Sequence, residues 1–218
     1  MYDIILSFIT AFLLTYFAIP SIINIAKVKK LVDLPDERRS HDEATPSLGG
    51  IGIFGGLLFS VIMWTPFNVF GDLQYVLCSL VIIFLIGAKD DILPMSPNKK
   101  ILGEIFAAVI LVFKANVKIT SLYGIFNIYD LHPVASALFS IFSILVIINA
   151  FNLIDGINGM SGSIGTLIAV TFGTWFFLVQ RIELSLVAFA LAGSLIAFLK
   201  YNYTPAKIFM GDTGALIV

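Results

Sequence analysis

The polar residues that could do chemistry collect in four short segments between long apolar runs. The segments read LVDLPDERRSHDEATPSLGG (31–50), GAKDDILPMSPNKK (87–100), NAFNLIDGINGMSG (149–162) and YNYTPAKIFMGDTG (201–214). They are rich in carboxylates, carboxamides and basic residues, which are the groups that bind hard cations and phosphate oxygens. A single site is therefore expected if the fold brings the four segments together.

Asp90 and Asp91 are adjacent carboxylates, which repel each other unless a cation or a proton lies between them. Magnesium in proteins uses one or two carboxylates together with substrate phosphates, so the pair fits a magnesium site. The alternative is two solvated charges at a helix end. Asp212, in FMGDTG, could add a third carboxylate or cap the N-terminus of a following helix, and taken alone the cap is the favoured interpretation.

Asn149, Asn152 and Asp155 recur every three residues, which places them on one stripe of a helix. Polar groups so near hydrocarbon face a wet cavity or a partner helix. The stripe therefore either lines a substrate cavity or forms hydrogen bonds between helices. Asn158, a few residues later, could cap a helix or bind sugar hydroxyls.

Four basic or titratable residues could contact phosphate. Arg38 and Arg39 suit bidentate phosphate binding and Lys100 acts as a point charge, although each could equally be a cytoplasmic topology anchor. His41 could bind phosphate or donate a proton. Glu104, one turn after Lys100, is expected to pair with it at i, i+4.

The elements that position these residues are predicted to lie in lipid. Hydrophobic residues make up 59% of the 218 residues, charged residues 12%, and the mean hydropathy is +1.00, whereas a soluble domain is about half apolar and a quarter charged. The net charge of -1 and the lack of a basic stripe give no indication of a nucleic-acid partner. The apolar runs are Ile4–Ala26, Ile51–Trp64, Leu73–Ala88, Ile101–Phe113, Val134–Phe151, Ile164–Val179 and Leu184–Leu199.

These runs predict an all-α bundle of seven transmembrane spans with an eighth beginning at Gly214, in one domain over residues 1–218 that is truncated at its C-terminus. A small hairpin is expected over Val117–Tyr129. The positive-inside rule places the four polar segments in the cytoplasm, and the N-terminus and the hairpin outside. Its basis is the distribution of basic residues, with Lys27, Lys29, Lys30, Arg38, Arg39, Lys89, Lys99, Lys100, Lys200 and Lys207 on one side and Lys114, Lys118 and Arg181 on the other.

The four segments together resemble the polyprenyl-phosphate N-acetylhexosamine-1-phosphate transferases, which form glycosyltransferase family 4. VDLPDERRSH with PSLGG resembles the family's first cytoplasmic loop, GAKDDILPMSPNKK its aspartate-pair loop, NAFNLIDGING its NxxNxxDGxDG signature and FMGDTG its next motif. The first loop is similar to the GlcNAc-1-phosphate branch and lacks the KKxGTPTMGG run of the peptidoglycan translocase. Asn158 stands where the signature has a second Asp, and Lys89 replaces an apolar residue.

The resemblance implies transfer of N-acetylhexosamine 1-phosphate, most simply GlcNAc 1-phosphate, from a UDP-sugar to undecaprenyl phosphate with release of UMP. It implies magnesium, with manganese as a substitute, and a bacterial inner-membrane enzyme that begins cell-envelope polysaccharides such as the O-antigen of lipopolysaccharide. Asp90, Asp91 and Lys100 are the implied catalytic residues, and Asp91 and Asp212 the metal ligands. The implied substrate-binding residues are Asn149, Asn152, Asp155, Asn158, Arg38 and His41.

Several alternatives remain open at the level of sequence. Asp90 would orient or deprotonate the lipid phosphate in a single displacement, or Asp90 or Asp91 would act as the nucleophile of a double displacement. Rival functions are the phospho-MurNAc-pentapeptide translocase, an ion-coupled transporter and a non-catalytic scaffold. A homodimer is neither indicated nor excluded, and the family's His-rich loop would lie beyond Val218.

Overall fold

The chain folds into helices that coincide with the predicted apolar runs. This computed structural model describes residues 2–33, 45–67, 70–71 and 73–218, so Arg38, Arg39 and His41 lie outside the described residues. Two short strands, β1 (Val32–Asp33) and β2 (Thr45–Pro46), pair antiparallel. The helices are α1 (Tyr2–Lys29), α2 (Gly49–Trp64), α3 (Leu73–Ile92), α4 (Pro97–Phe113), α5 (Pro133–Leu153), α6 (Met160–Leu178), α7 (Ile182–Asn202) and the short α8 (Gly211–Ala215).

Helix length and composition indicate a membrane protein. Within the described ranges, α1, α5, α6 and α7 are long and apolar enough to cross a bilayer, and α2 is a shorter apolar helix. Large apolar side chains on α5 point away from the protein, with Leu138, Phe142 and Ile147 64%, 61% and 65% exposed. An exposed apolar surface of this kind is typical of a membrane-facing or protein-facing helix, and the length and hydropathy of α5 favour the membrane. The predicted all-α membrane architecture is therefore confirmed in its class.

The core of the bundle is built around α7, which packs against α1, α2 and α6. One buried cluster joins α2 to α7 and includes Leu57 and Leu186. A second cluster joins Phe198 of α7 to Ile208 and Met210, which immediately precede α8. The fully buried side chains of this cluster therefore fix the position of the segment FMGDTG.

The segment before α8 is also tied to the start of α2 by backbone hydrogen bonds. Phe209 N donates to Pro46 O at 2.7 Å, and Gly50 N donates to Met210 O at 2.8 Å. A Cβ at Gly50 would lie 2.1 Å from Gly214 N and 2.5 Å from Gly214 Cα, both backbone atoms. Only glycine fits at Gly50, because the first turn of α2 lies directly against α8.

Gly50→Ala is expected to lower the free energy of unfolding by about 1–3 kcal/mol, because the added methyl must push two backbones apart. Gly55 lies on the same helix and has nothing within 4 Å of its Cβ position, so Gly55→Ala serves as the matched control and should be neutral or slightly stabilising. Thermal unfolding of both variants in detergent measures the difference. Equal melting temperatures would contradict the close contact.

The predicted hairpin over Val117–Tyr129 is a compact turn rather than a pair of strands. The described residues there form one isolated antiparallel bridge, between Ser121 and Asp130. Leu122 N donates to Tyr129 O at 2.9 Å, and a 3-10 turn over Ile125–Asn127 closes the loop. The segment folds back on itself as expected, but its extended backbone is too short to count as strands.

Candidate active site

Four segments that lie far apart in the sequence line one cavity of about 490 Å³. Of the predicted site residues, the structure places Asp90, Asp91, Asn152, Asp155 and Asp212 in its wall. The other lining residues, which the sequence analysis did not assign to the site, are Lys30, Leu31, Ser47, Ile92, Pro94, Gly156, Phe209 and Gly211. The expected convergence of the segments is therefore a feature of the fold.

Lys100 lies between two carboxylates at this cavity. Its Nζ donates to Asp90 Oδ2 at 3.1 Å and to Asp212 Oδ2. Asp90 Oδ1 also accepts a hydrogen bond from Met95 N at 2.6 Å, which fixes the carboxylate at the end of α3. The three charged groups are only partly exposed, at 15%, 16% and 23% of their side-chain area for Lys100, Asp90 and Asp212. Two acids at the cavity wall therefore share one cation.

Asn152, which lies on α5, adds a carboxamide to the cluster of Asp90, Lys100 and Asp212. Its side chain lies near the Asp212 carboxylate in the wall of the same cavity. Burial raises the pKa of Asp212 above its usual range; the neighbouring Asp90 adds to that rise, and Lys100 opposes it. The amide of Asn152 is thus part of the same polar group as Asp90, Lys100 and Asp212.

Asp91 holds the backbone of the fourth segment. Its Oδ1 accepts a hydrogen bond from Asp212 N at 2.8 Å, and its Oδ2 accepts from Thr213 N at 2.8 Å and from the Thr213 hydroxyl. Both carboxylate oxygens therefore bind the first turn of α8. The N-cap interpretation of Asp212 is wrong, because Asp212 lies inside that turn and the acid that satisfies its amides comes from α3.

Asp155 holds the preceding residue of the same segment. Its Oδ2 accepts from Gly211 N at 2.8 Å, and its Oδ1 accepts from the Ser161 hydroxyl at 2.8 Å. Burial raises the pKa of Asp155, while the hydrogen bonds from Ser161 and from backbone amides oppose the rise. We call Asp91 and Asp155, with the amides of residues 211–213 that they bind, the carboxylate clamp.

Asn149 makes the helix–helix hydrogen bond that the sequence left as one alternative. Its Nδ2 donates to Glu104 Oε2 at 2.7 Å and to Leu145 O at 2.9 Å. The expected pairing of Glu104 with Lys100 is wrong, because Lys100 turns toward Asp90 and Asp212 while Glu104 is fully buried against α5. Asn149 does not line the cavity described here.

Asn158 lies in the turn between α5 and α6. Its Oδ1 is buried and has no hydrogen-bond partner within the described residues, so an acceptor is available in the wall of this turn. Next to it, Gly159 N donates to Asn202 Oδ1 at 3.0 Å, and Asn202 Nδ2 donates to Ile208 O at 2.9 Å. Asn202 thereby links the third and fourth segments. The only sequence signal for it is a polar residue at the end of an apolar helix.

The oxygen-rich lining of the cavity is chemically compatible with magnesium. Among the described residues, no three carboxylate, imidazole or thiol groups converge on one point. Magnesium needs only one or two protein carboxylates when substrate phosphates and water complete its shell. The assignment of Asp91 and Asp212 as metal ligands stays a prediction. Asp212 lines the cavity together with Asp90 and Asn152, whereas amides and a hydroxyl already occupy both oxygens of Asp91.

Comparison with known proteins agrees with the resemblance seen in the motifs. The probable undecaprenyl-phosphate N-acetylglucosaminyl 1-phosphate transferase of Bacillus subtilis (strain 168) is 28% identical over 228 residues, which is 100% of this chain and 61% of that protein. The phospho-N-acetylmuramoyl-pentapeptide-transferase of Streptococcus agalactiae serotype Ia is 28% identical over 235 residues, covering 99% and 70% of the two chains. The enzyme of that same name from Clostridium beijerinckii is 54% identical over 52 residues, covering 23% and 16%.

The chain therefore spans about three fifths of the length of the B. subtilis relative (61%). The family model described as glycosyl transferase family 4 matches residues 73–218, which include Asp90, Asp91, Lys100, Asp155 and Asp212. Because this match covers most of the chain and all of the carboxylates of the cavity, the chain belongs to glycosyl transferase family 4.

Proposed function

We propose that this protein transfers an N-acetylhexosamine 1-phosphate from a UDP-sugar to undecaprenyl phosphate and releases UMP. The sugar that we propose is GlcNAc. The observation that carries the proposal is the cavity at which Asp90 and Asp212 share Lys100. A relative whose name states this activity aligns with the entire chain. The finer assignments below rest on the same geometry.

In the proposed reaction, an oxygen of the lipid phosphate attacks the sugar-linked phosphorus of the UDP-sugar. A new phosphorus–oxygen bond forms while the bond to UMP breaks, and UMP leaves with the electron pair. A phosphate monoester has its second pKa near 6, so the attacking group is largely anionic at neutral pH and needs little help from a base. The larger barrier is the repulsion between two phosphate anions.

Residues in the cavity wall, together with Lys100 beside it, would counter that repulsion by supplying positive charge and fixed geometry. Lys100 would contact a phosphate oxygen, and Asp90 would orient both Lys100 and the incoming lipid phosphate. Asp212 and Asn152 would hold magnesium, with Asp91 as a further ligand predicted from sequence. The bound ion would neutralise the phosphate oxygens. Because Lys100 and Met95 N occupy Asp90 and the clamp occupies Asp91, we favour a single displacement over a covalent intermediate.

The proposal includes an arrangement in the membrane. Seven crossings by α1 to α7 would put the N-terminus outside and the cavity at the cytoplasmic face of the bacterial inner membrane, where UDP-sugars are available. At about 1.5 Å per residue, the 17 residues of α4 would span roughly 25 Å, slightly less than a typical hydrocarbon core. The prenyl chain would stay in the bilayer while only its phosphate enters the cavity.

The second candidate is the transfer of phospho-MurNAc-pentapeptide. It is supported by relatives with that name, one of which is also 28% identical over nearly the whole chain. The first segment favours GlcNAc 1-phosphate, because HDEATPSLGG (41–50) lacks the two lysines of the KKxGTPTMGG run. The two candidates differ only in the sugar donor, so one assay separates them.

The test incubates the purified intact protein with undecaprenyl phosphate, magnesium and either labelled UDP-GlcNAc or labelled UDP-MurNAc-pentapeptide. We expect lipid-linked pyrophosphoryl GlcNAc and UMP, no product from the second donor, and no turnover after chelation of the metal. UDP-sugars do not cross the membrane. Sealed inside-out vesicles should therefore convert the UDP-sugar to product, whereas right-side-out vesicles should give no product.

Asp130→Asn is the control variant, because Asp130 is an exposed acid in the turn before α5, outside the cavity, and it should leave the rate unchanged. Product from UDP-MurNAc-pentapeptide alone would transfer the proposal to the second candidate. Turnover that is unaffected by chelation would remove magnesium from it, and turnover only in right-side-out vesicles would reverse the topology.

A further inference from the structure

Lys30 is a basic residue among those that line the cavity. It follows directly after α1, and its neighbour Leu31 lines the same cavity as Asp90 and Asp155. Of the described residues that line this cavity, Lys30 is the one that carries a positive charge. By sequence alone it belongs to a cluster of basic residues that anchors the end of a span, so its position in the cavity gives it a second interpretation.

The backbone conformation at Lys30 favours glycine over lysine. Its φ is 57°, in the left-handed region, and Leu31 N donates to Ala26 O at 2.9 Å to close the end of α1. Glycine is the usual residue at such a helix end, because a Cβ makes this conformation unfavourable. Lys27 and Lys29 already supply positive charge to the last turn. A helix-end charge is therefore not a sufficient reason for a lysine at position 30.

The carboxylates of the cavity already have partners within the described structure. The clamp carboxylates Asp91 and Asp155 accept hydrogen bonds from backbone amides, and Asp90 and Asp212 share an ion pair with Lys100. None of the ion pairs formed by the described residues involves Lys30, and its side chain is exposed. With respect to the described residues, the exposed ammonium group of Lys30 is therefore available to an anion that enters from solution.

We propose that Lys30 binds a phosphate oxygen of a substrate in this cavity. The inference rests on the proposed function, in which both substrates are phosphate anions that must enter a cavity lined by four carboxylates. Lysine suits this role as a flexible point charge. The phosphate has two candidate sources, the diphosphate of the UDP-sugar and the head group of the lipid, and separate measurements distinguish them.

The decisive variant is Lys30→Gly. Glycine adopts the observed φ without strain, so this variant should unfold at the temperature of the wild type or above it. We expect its KM for one substrate to rise by about tenfold or more, with a smaller change in kcat, because a hydrogen bond to a charged group is lost. Lys30→Arg keeps the charge and should retain most of the affinity.

Lys29→Ala is the matched control. Lys29 is also exposed and basic, and it ends α1 one residue earlier without lining the cavity. A rise in KM that is equally large in Lys29→Ala and Lys30→Gly would mean that only the general charge of the surface matters. That result would overturn the assignment of Lys30.

A binding measurement distinguishes a failure of the Lys30 assignment from a failure of the proposed function. Calorimetric titration of the intact protein with UDP, and with nanodiscs that contain undecaprenyl phosphate, measures affinity without turnover. Weaker binding of either probe to Lys30→Gly supports the inference even if the wild type shows no transfer of GlcNAc 1-phosphate. An active wild type whose Lys30→Gly variant binds both probes, and both substrates, within twofold of normal would overturn it while leaving the function intact.

Discussion

Asp212→Asn is expected to lower the transfer rate by about a thousandfold or more at saturating magnesium. The substitution removes one of the two carboxylates that share Lys100 and leaves the cation paired with Asp90 alone. The fold should tolerate the change, because the backbone N–H of Asp212, and not its side chain, donates to Asp91 at 2.8 Å. The variant therefore removes the charge of the Asp212 side chain while the backbone contact between residue 212 and Asp91 is kept.

Two measurements test this expectation. Initial rates across a magnesium titration give the loss of turnover, and electron paramagnetic resonance of added manganese gives metal affinity independently of activity. Asp130→Asn should match the wild type in both, since Asp130 lies in an exposed turn away from the cavity. An Asp212→Asn protein that kept normal manganese affinity would rule out Asp212 as a metal ligand, whatever its rate.

The helices and their convergence could be predicted because both follow from patterns within single segments. The apolar run Val134–Phe151 predicts α5 (Pro133–Leu153) to within two residues at each end, since hydrocarbon requires a continuous apolar helix. Ser96 is the N-cap residue of α4 and Pro97 its first residue, a pair typical of a helix start, although the Ser96 hydroxyl makes no capping bond. Alternation of spans then brings every second loop to one face.

The pairing of individual side chains could not be predicted, because it depends on distances between helices. Glu104 has Lys100 as its nearest candidate in the sequence, yet Lys100 reaches Asp212, 112 residues away, and Glu104 reaches Asn149. Sequence spacing ranks the local i, i+4 partner first, at a few tenths of a kcal/mol. Two acids converging on one lysine at a cavity outweigh that local preference.

The different roles of Asp90 and Asp91 also could not be predicted from sequence spacing. Adjacent acids look equivalent in a sequence, but successive residues on a helix point about 100° apart. The Asp90 carboxylate therefore faces Lys100, while the Asp91 carboxylate faces the backbone of α8. The adjacent pair suggested one cation site, whereas in the structure Asp90 pairs with Lys100 and Asp91 belongs to the carboxylate clamp, although both line the cavity.

Asp91→Asn is accordingly expected to destabilise the protein as well as to slow it. An Asn at position 91 keeps one acceptor oxygen and presents an NH₂ group to the donors of residues 212 and 213. At least one buried N–H then loses its acceptor, which costs about 1–3 kcal/mol. A loosened α8 would also shift Asp212 within the cavity, and a misplacement on the order of 1 Å can reduce turnover by about a hundredfold.

Thermal unfolding in the presence of a chelator distinguishes this role from that of a metal ligand. Removing a ligand that only binds metal would relieve repulsion between Asp90 and Asp91 and leave the metal-free protein as stable as before, or more so. Removing a clamp residue lowers stability with or without metal. A metal-free Asp91→Asn protein that melts at the wild-type temperature but has lost its rate would therefore contradict the clamp and favour Asp91 as a ligand.

Thr213 provides a graded control for the same contact, since its buried hydroxyl donates to Asp91 Oδ2. Thr213→Ser keeps the donor and should retain most of the rate. Thr213→Val has nearly the same shape without the donor and should lose about 0.5–1.5 kcal/mol of stability. In Asp91→Asn, the further change Thr213→Val should cost less than it does alone, because the two residues act through one hydrogen bond. Strict additivity would show that the clamp does not depend on this pair.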